Sequence, residues 1–455
     1  MIRIISLTLS VIFVGILSGE SFRLHLLFTN NIHGAIHEVP ARFINPEFSP
    51  ILSGGAGAYT YVNQLRKEAK NSGDFVLLTD AGNFFQGTQL GTEDGGSRMI
   101  RWMNWMNYDA FVPGVRDFDQ GVANLERLNN EANFPFLGAN LMGVDGLKDN
   151  KILDFGGVKV GVIGLITPFL NEGLLPENYD GVSVADLLGT LKEQIATIRE
   201  EVDLIFVLSH LGLPYNREKE YEKFVIKISQ SDFPPIRNAL ELAHYTNDVD
   251  VIITGGFNKG YNTPWVDPNT HTIVVQNYGN LTGIGHLTLN INKEKKVIED
   301  YSFPTKRGMM INLFTDDIWP DIAIADTIKK WVKSVSSKQL KADYSEKISK
   351  INNNDCLSNK ESPYSDYSVP SIGKENMLDI MTWNMERFPL DGNNTMKAVA
   401  EIIKDLDVDI IGVQEVIKIG DFAEMMSWIP DYDFVLSRHS SFLEQAIIYK
   451  KNMFT

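Results

Sequence analysis

The chain has 455 residues, 44% of them hydrophobic and 10% aromatic, which is ample for packed cores and excludes a disordered or low-complexity protein. A formal net charge of −16 at pH 7 excludes general affinity for nucleic acid, so any anionic ligand has to be captured by a local group of cations. The single cysteine, Cys356, excludes an intramolecular disulfide.

Residues Met1–Ser21 hold one early Arg3, an apolar run and then small residues, the pattern of a secretory signal peptide. The expectation is an exported protein, periplasmic or extracellular. No later run reaches the length a bilayer requires, so no membrane span is expected once the signal is removed. From Phe22 to about Phe303, short apolar runs alternate with amphipathic segments. Strands are predicted at Leu24–Thr29, Phe75–Thr79, Ala110–Pro113, Val158–Leu165, Leu204–Ser209, Val251–Thr254 and Thr272–Gln276, with Gly283–Asn292 closing the set. Helices are predicted at Ala58–Ala69, Arg98–Met106, Val122–Asn130, Val184–Arg199 and Ile236–Tyr245. Such alternation predicts an α/β layered domain with helices on the sheet faces.

A helix is predicted at Asp316–Ser337, and Ser349–Lys374, rich in Ser, Asn, Asp, Lys and Pro, reads as a linker. A second α/β pattern follows: strand Leu378–Trp383, helix Thr395–Leu406, strand Asp409–Gln414, and short strands at Phe434–Leu436 and Ala446–Tyr449. Roughly 80 residues follow the linker, fewer than the roughly 100–150 of an ordinary domain, so this last unit reads as incomplete. The expected division is 1–21 signal peptide, 22–305 layered domain, 306–376 helix and polar linker, and 377–455 partial α/β segment.

Candidate chemistry collects where the strands end, because loops converge at the carboxyl edge of an α/β sheet. The polar strand ends are Asn30-Asn31-Ile32-His33-Gly34, Asp80-Ala81-Gly82-Asn83, Gly114-Val115-Arg116-Asp117-Phe118-Asp119, Ser209-His210 and Thr254-Gly255-Gly256-Phe257-Asn258-Lys259. This order resembles the metallophosphoesterase domain of the 5'-nucleotidase family, in the calcineurin-like phosphoesterase superfamily, which includes UDP-sugar hydrolases, cyclic nucleotide phosphodiesterases and apyrases. Gly87-Thr88, Tyr108-Asp109-Ala110, Phe134–Asn140 and Val249–Ile252 extend the resemblance across about residues 22–305. It implies a layered metallophosphoesterase sandwich and a phosphoric ester hydrolase with two divalent ions. In such a centre the ions polarise the phosphoryl group and generate hydroxide, and a bridging carboxylate offsets their mutual repulsion.

Carried over residue by residue, the family's ligand set is largely replaced. Asn31 stands for the first Asp and Asn83 for the bridging Asp, Val115 for an Asn ligand, and Phe257 and Lys259 for the last two ligands. Only His33 and His210 keep a metal-binding side chain. Arg116 takes the place of the catalytic His, with Asp119 in reach to pair with it. Neutral amides are weak ligands, Val and Phe donate nothing, and an ammonium repels cations. No cofactor is therefore expected, and at most one weakly bound divalent ion on His33 and His210. The usual base-reading C-terminal domain of the family is not recognisable after residue 305, so the resemblance leaves nucleotide specificity open.

Two accounts of the cations stay open. Arg116 and Lys259 could bind a phosphate-bearing small molecule, since a guanidinium fork matches phosphate and a Lys adds a point charge. Alternatively they pair with Asp80, Asp117 and Asp119 and leave a self-neutralised scaffold. The expected function is thus an exported pseudoenzyme with a phosphate-bearing ligand, and the alternatives are a residual metal-dependent phosphohydrolase or a structural or interaction protein. In the last unit, Asp379–Glu386 and Val408–Glu415 resemble the opening of the endonuclease/exonuclease/phosphatase family, with Glu444–Tyr449 as a following strand. That resemblance implies that Asn384 organises a site and Glu415 binds Mg²⁺. The family's later motifs are not found, so this unit is expected to be inactive and to fold poorly unless it docks on the first domain.

Overall fold

Parallel strands covered on both faces are buried at every position, and the central strand Leu204–Ser209 follows that rule. The computed structural model describes residues 21–230, 235–339, 371–372, 377–437, 444–451 and 453. The signal segment and most of the linker, Cys356 included, lie outside the described residues. The principal elements of the first body are β1 Ser21–Thr29, α1 Gly54–Ser72, β2 Phe75–Asp80, α2 Ser97–Met106, β3 Ala110–Phe111, α3 Val122–Glu131, β4 Asn150–Phe155, β5 Val158–Leu165 and α4 Leu170–Gly173. They continue with α5 Leu187–Ile198, β6 Leu204–Ser209, α6 Arg217–Gln230, α7 Ala239–His244, β7 Val251–Thr254, β8 Trp265–Val266 and β9 Ile273–Val275. β10 Gly283–Asn292, β11 Val297–Ser302, β12 Met310–Asn312 and α8 Ile322–Gln339 complete it.

Two six-stranded sheets form the layers. The first runs β11–β10–β1–β2–β3 with β12 also on β10, and the second runs β8–β9–β7–β6–β5–β4. β1 and β2 are parallel, which sets Thr29 beside Asp80. β5, β6, β7 and β9 are parallel as well, which sets Ser209 beside Thr254. One continuous buried cluster takes side chains from both sheets, including Leu24, Phe28, Leu78 and Phe84 from one half and Val162, Phe206, Ile252 and Val275 from the other. The carboxyl ends of the two parallel sets are joined where the ring of His210 hydrogen-bonds the Ala81 carbonyl. This is the layered α/β arrangement expected from the alternation of apolar runs.

Several bounds differ from the expectation for local reasons. α5 starts at Leu187 rather than Val184, because Ser183–Val184 pair with Leu141–Met142 and Asp186 caps the helix by accepting from Gly189 N. β4 and α6 are not among the predicted elements, because neither carries a clear apolar face. β4 is a largely half-buried edge strand, and α6 buries only Phe224. α8 begins at Ile322 rather than Asp316, and it belongs to the first core rather than the linker. Ile328 is buried in that core, and Trp331 stacks on Trp105 with ring centroids 5.3 Å apart. Among the described residues, no helix is long and apolar enough to cross a membrane.

The second unit consists of β13 Ile380–Phe388, α9 Gly392–Leu406, β14 Ile410–Val416, α10 Ile419–Ser427, β15 Tyr432–Leu436 and β16 Glu444–Lys450. Its sheet runs β13–β14–β16–β15. It has its own buried cluster around Phe388, Ile403, Ile411 and Phe422, and α10 packs against α4 of the first body.

Close sheet packing gives one direct test of this architecture. A Cβ on Gly164 of β5 would lie 2.6 Å from the backbone carbonyl carbon of Leu137, with no flexible side-chain end to yield. Gly164→Ala is expected to lower stability by about 1–3 kcal/mol, measured by urea unfolding; an unchanged midpoint would contradict the packing described.

Candidate functional site

The site is built on backbone that few residues tolerate. Asn31, His33 and Asn83 all have positive φ, at 51°, 53° and 61°, a left-handed conformation in which Asn is several-fold enriched and which clusters at functional sites. Asp117 holds these turns in place. Its carboxylate is fully buried and accepts from Asn83 N at 2.7 Å, Gly114 N at 2.8 Å and Phe84 N at 3.0 Å. Asp80 accepts from Thr29 Oγ1 at 2.6 Å and Gly82 N at 2.9 Å. Burial pushes the Asp117 carboxyl up to about 8 and the Asp80 carboxyl up to about 7. Both acids serve the backbone and neighbouring side chains. They do not pair with Arg116 or Lys259, which corrects that part of the sequence reading.

Around this frame, His33, Asn83 and His210 come together with Asn31. A Cβ on Gly114 would press on both Asn83 Oδ1 and the ring of His210, so glycine is required there. His210 Nδ1 donates to Ala81 O at 2.5 Å, and His33 Nδ1 donates to Gln86 O at 2.9 Å. Burial pushes both imidazoles down to about 4, so they are neutral at physiological pH. Asn31 donates through Nδ2 to Asn258 Oδ1 at 2.8 Å and accepts from Gly256 N at 3.2 Å. Asn83 Oδ1 accepts from Arg116 N at 2.8 Å. Asn258, which also hydrogen-bonds His33, is the residue of the last motif that reaches the site, and the sequence reading passes over it in favour of its neighbours.

This donor set does not fit a pair of divalent ions. The oxygens of Asn31 and Asn83, the atoms that could ligate, already accept backbone amides. Val115 packs toward Gly173, and Phe257 lies against Gly212. Among the described residues, no three His, Cys, Asp or Glu side chains gather where an ion could be held. Two hard cations without compensating carboxylates would repel one another at this spot.

The two cations go separate ways. Arg116 lies on the 3₁₀ turn Val115–Phe118, and its guanidinium reaches Glu444 Oε1 of β16 at 2.5 Å, Asp119 Oδ1 at 3.7 Å and Gly173 O at 3.5 Å. Burial pushes the Asp119 carboxyl up to about 7, with Arg116 opposing and Glu444 reinforcing the shift. Lys259 does not join Arg116. Its Nζ lies 5.4 Å from the ring centre of Tyr215 and 5.7 Å from that of Tyr261, within the range of a cation–π contact. In the sequence Glu444 marks only the start of a strand, and nothing local signals a partner in the first body. In the second unit, Asn384 Nδ2 donates to Glu415 Oε1 at 2.9 Å and its oxygen accepts from Glu386 N at 2.9 Å. The two residues singled out there meet across the parallel pair β13 and β14, where the register shifts.

No protein-family model matches the chain. It is 27% identical over 345 residues to the 5'-nucleotidase of Rattus norvegicus, a match covering 69% of this chain and 53% of that protein. The snake venom 5'-nucleotidase of Crotalus adamanteus is 32% identical over 159 residues, covering 33% of this chain and 26% of that protein. The chain thus spans about half the length of the mammalian relative. Among solved structures, the 5'-nucleotidase precursor from Thermus thermophilus superposes with a TM-score of 0.55 at 21% identity, covering 70% of this chain and 59% of that one. The calcineurin-like phosphoesterase YfkN from Bacillus subtilis does so with a TM-score of 0.53 at 21% identity, covering 71% of this chain and 99% of that one. The solved structures share the layered fold, and the curated relatives share sequence along much of it: the chain is similar to 5'-nucleotidases and to a calcineurin-like phosphoesterase.

Proposed function

We propose that this protein is an exported pseudoenzyme, a 5'-nucleotidase-type phosphoesterase fold that no longer hydrolyses phosphate esters and that accepts a phosphate-bearing ligand at Arg116. The observation that carries the loss of hydrolysis is the bonding of Asn31 and Asn83. Where the family resemblance puts two carboxylates, both amide oxygens accept backbone N–H groups. A water molecule there has amides beside it where carboxylates would stand, and the imidazoles of His33 and His210, held down to about 4 by burial, are weak bases. The residual phosphohydrolase reading, which the names of the relatives suggest, needs ligands that this arrangement does not offer.

Ligand capture rests on Arg116. Its backbone N is fixed on Asn83, and its guanidinium already holds a carboxylate at 2.5 Å, the planar geometry that also suits a phosphate. Lys259 is left out of this reading because its ammonium lies over Tyr215 and Tyr261. Export is supported by the pattern of Met1–Ser21 and by a relative whose name places it in snake venom. For the second unit, the Asn384–Glu415 pair supports an endonuclease/exonuclease/phosphatase-like segment. One carboxylate there does not make a hydrolytic centre.

Two measurements test this reading. The purified chain, supplied with Mn²⁺ or Zn²⁺, is expected to show no turnover of AMP or p-nitrophenyl phosphate above the buffer rate; metal-dependent turnover would contradict the pseudoenzyme. In calorimetry, inorganic phosphate is expected to bind at a single site, and Arg116→Met is expected to weaken it by at least about tenfold, the scale of one charge-assisted hydrogen bond. Binding that is indifferent to Arg116 would remove the assigned role.

A further inference from the structure

The partner that Arg116 holds comes from far along the chain. Glu444 is 328 residues away in sequence, at the first position of β16, opposite Val416 of β14. Its side chain is only 2% exposed, and that of Arg116 is 14% exposed. A carboxylate so enclosed is placed there at a desolvation cost that its ion pair has to offset.

The same contact region is built for close approach. On α10, a Cβ at Gly420 would come within 2.6 Å of the Asn171 carbonyl of α4, so a larger residue would hold the two units apart. Lys418, just before α10, pairs with Glu172 of α4 at 3.4 Å, and Arg237 of the first body approaches the same carboxylate at 3.8 Å. Arg237 in turn lies over the ring of Phe169, 4.3 Å from its centre. Glycine contact, charge pairs and the enclosed Glu444 therefore all lie on one seam along α4 and the turn that carries Arg116.

We propose that this seam is an internal docking surface and that Glu444 is its ligand: the second unit seats on the rim of the altered site, and its carboxylate takes the anion position on Arg116. The proposal rests on the reading of Arg116 as an anion acceptor and adds what governs access to it. With Asp119 and Glu444 both facing one guanidinium, the positive charge of Arg116 is already offset and its fork occupied, so an incoming phosphate gains little there unless Glu444 leaves. Free anion and docked second unit compete for the same fork. The first body thereby gains a partner of defined chemistry, a strand-borne carboxylate beside a glycine-bearing helix, on the edge that also carries Asn31, Asn83 and His210.

The test compares the full chain with Glu444→Gln, which keeps the shape and removes the charge. Inorganic phosphate is the probe, titrated by calorimetry at fixed ionic strength. Glu444→Gln is expected to bind phosphate at least about tenfold more tightly than the unaltered chain. Equal affinities overturn the competition while leaving Arg116 as an anion acceptor. No binding to either protein overturns the anion reading, and the competition with it. Should Glu444→Gln fail to fold, Gly420→Val, which parts the seam without touching either charge, is read by the same criterion.

Discussion

A single buried carboxylate organises the candidate site. Asp117 accepts the amides of Asn83, Phe84 and Gly114, and in doing so it locks the turn after β2 to the turn before Arg116. Each of those amides would otherwise be left unsatisfied in the interior, at about 1–3 kcal/mol apiece. The left-handed conformation of Asn83 persists because this bonding over-determines it. From that fixed turn follow the bond between Asn83 Oδ1 and Arg116 N, the position of the Arg116 guanidinium, and through it the seat of Glu444. The layered fold thus brings amides and a guanidinium to the edge where the family resemblance implies metal ligands.

What this exchange does to the chemistry is a matter of charge. A two-metal centre concentrates positive charge and needs carboxylates to hold it. Here the acids next to the site, Asp80 and Asp117, face backbone N–H and hydroxyl groups, while the imidazoles of His33 and His210 are neutral. The one fixed cation at the rim, Arg116, is offset by Asp119 and Glu444. On the proposed reading, such a site is suited to an acidic side chain or a competing anion, and its imidazoles, at about 4, are poor bases for activating water.

Much of the fold was legible because buried parallel strands are written as continuous apolar runs. Val158–Leu165, Leu204–Ser209 and Val251–Thr254 have their predicted bounds for that reason. α6 was not legible, since a helix that buries one Phe224 has almost no apolar stripe to read, and neither was β4, an edge strand that starts with Asn150-Lys151. In the site, Asn31, His33, Asn83 and His210 could be placed together because strand ends share one edge of the layered fold. Side-chain direction within a loop could not be read. Lys259 turns to Tyr215 and Tyr261, so that Asn258 is the residue facing Asn31. Glu444 belongs to a different unit, and its partner is set by docking, which local sequence does not encode.

The central claim is that the altered ligand set no longer holds paired metal ions. Equilibrium dialysis of the purified full chain against micromolar Zn²⁺ and Mn²⁺, followed by elemental analysis, tests it most directly. The account predicts less than one bound equivalent per chain, unchanged in the His33→Gln variant. Two equivalents per chain, lost when His33 or His210 is replaced, would contradict it.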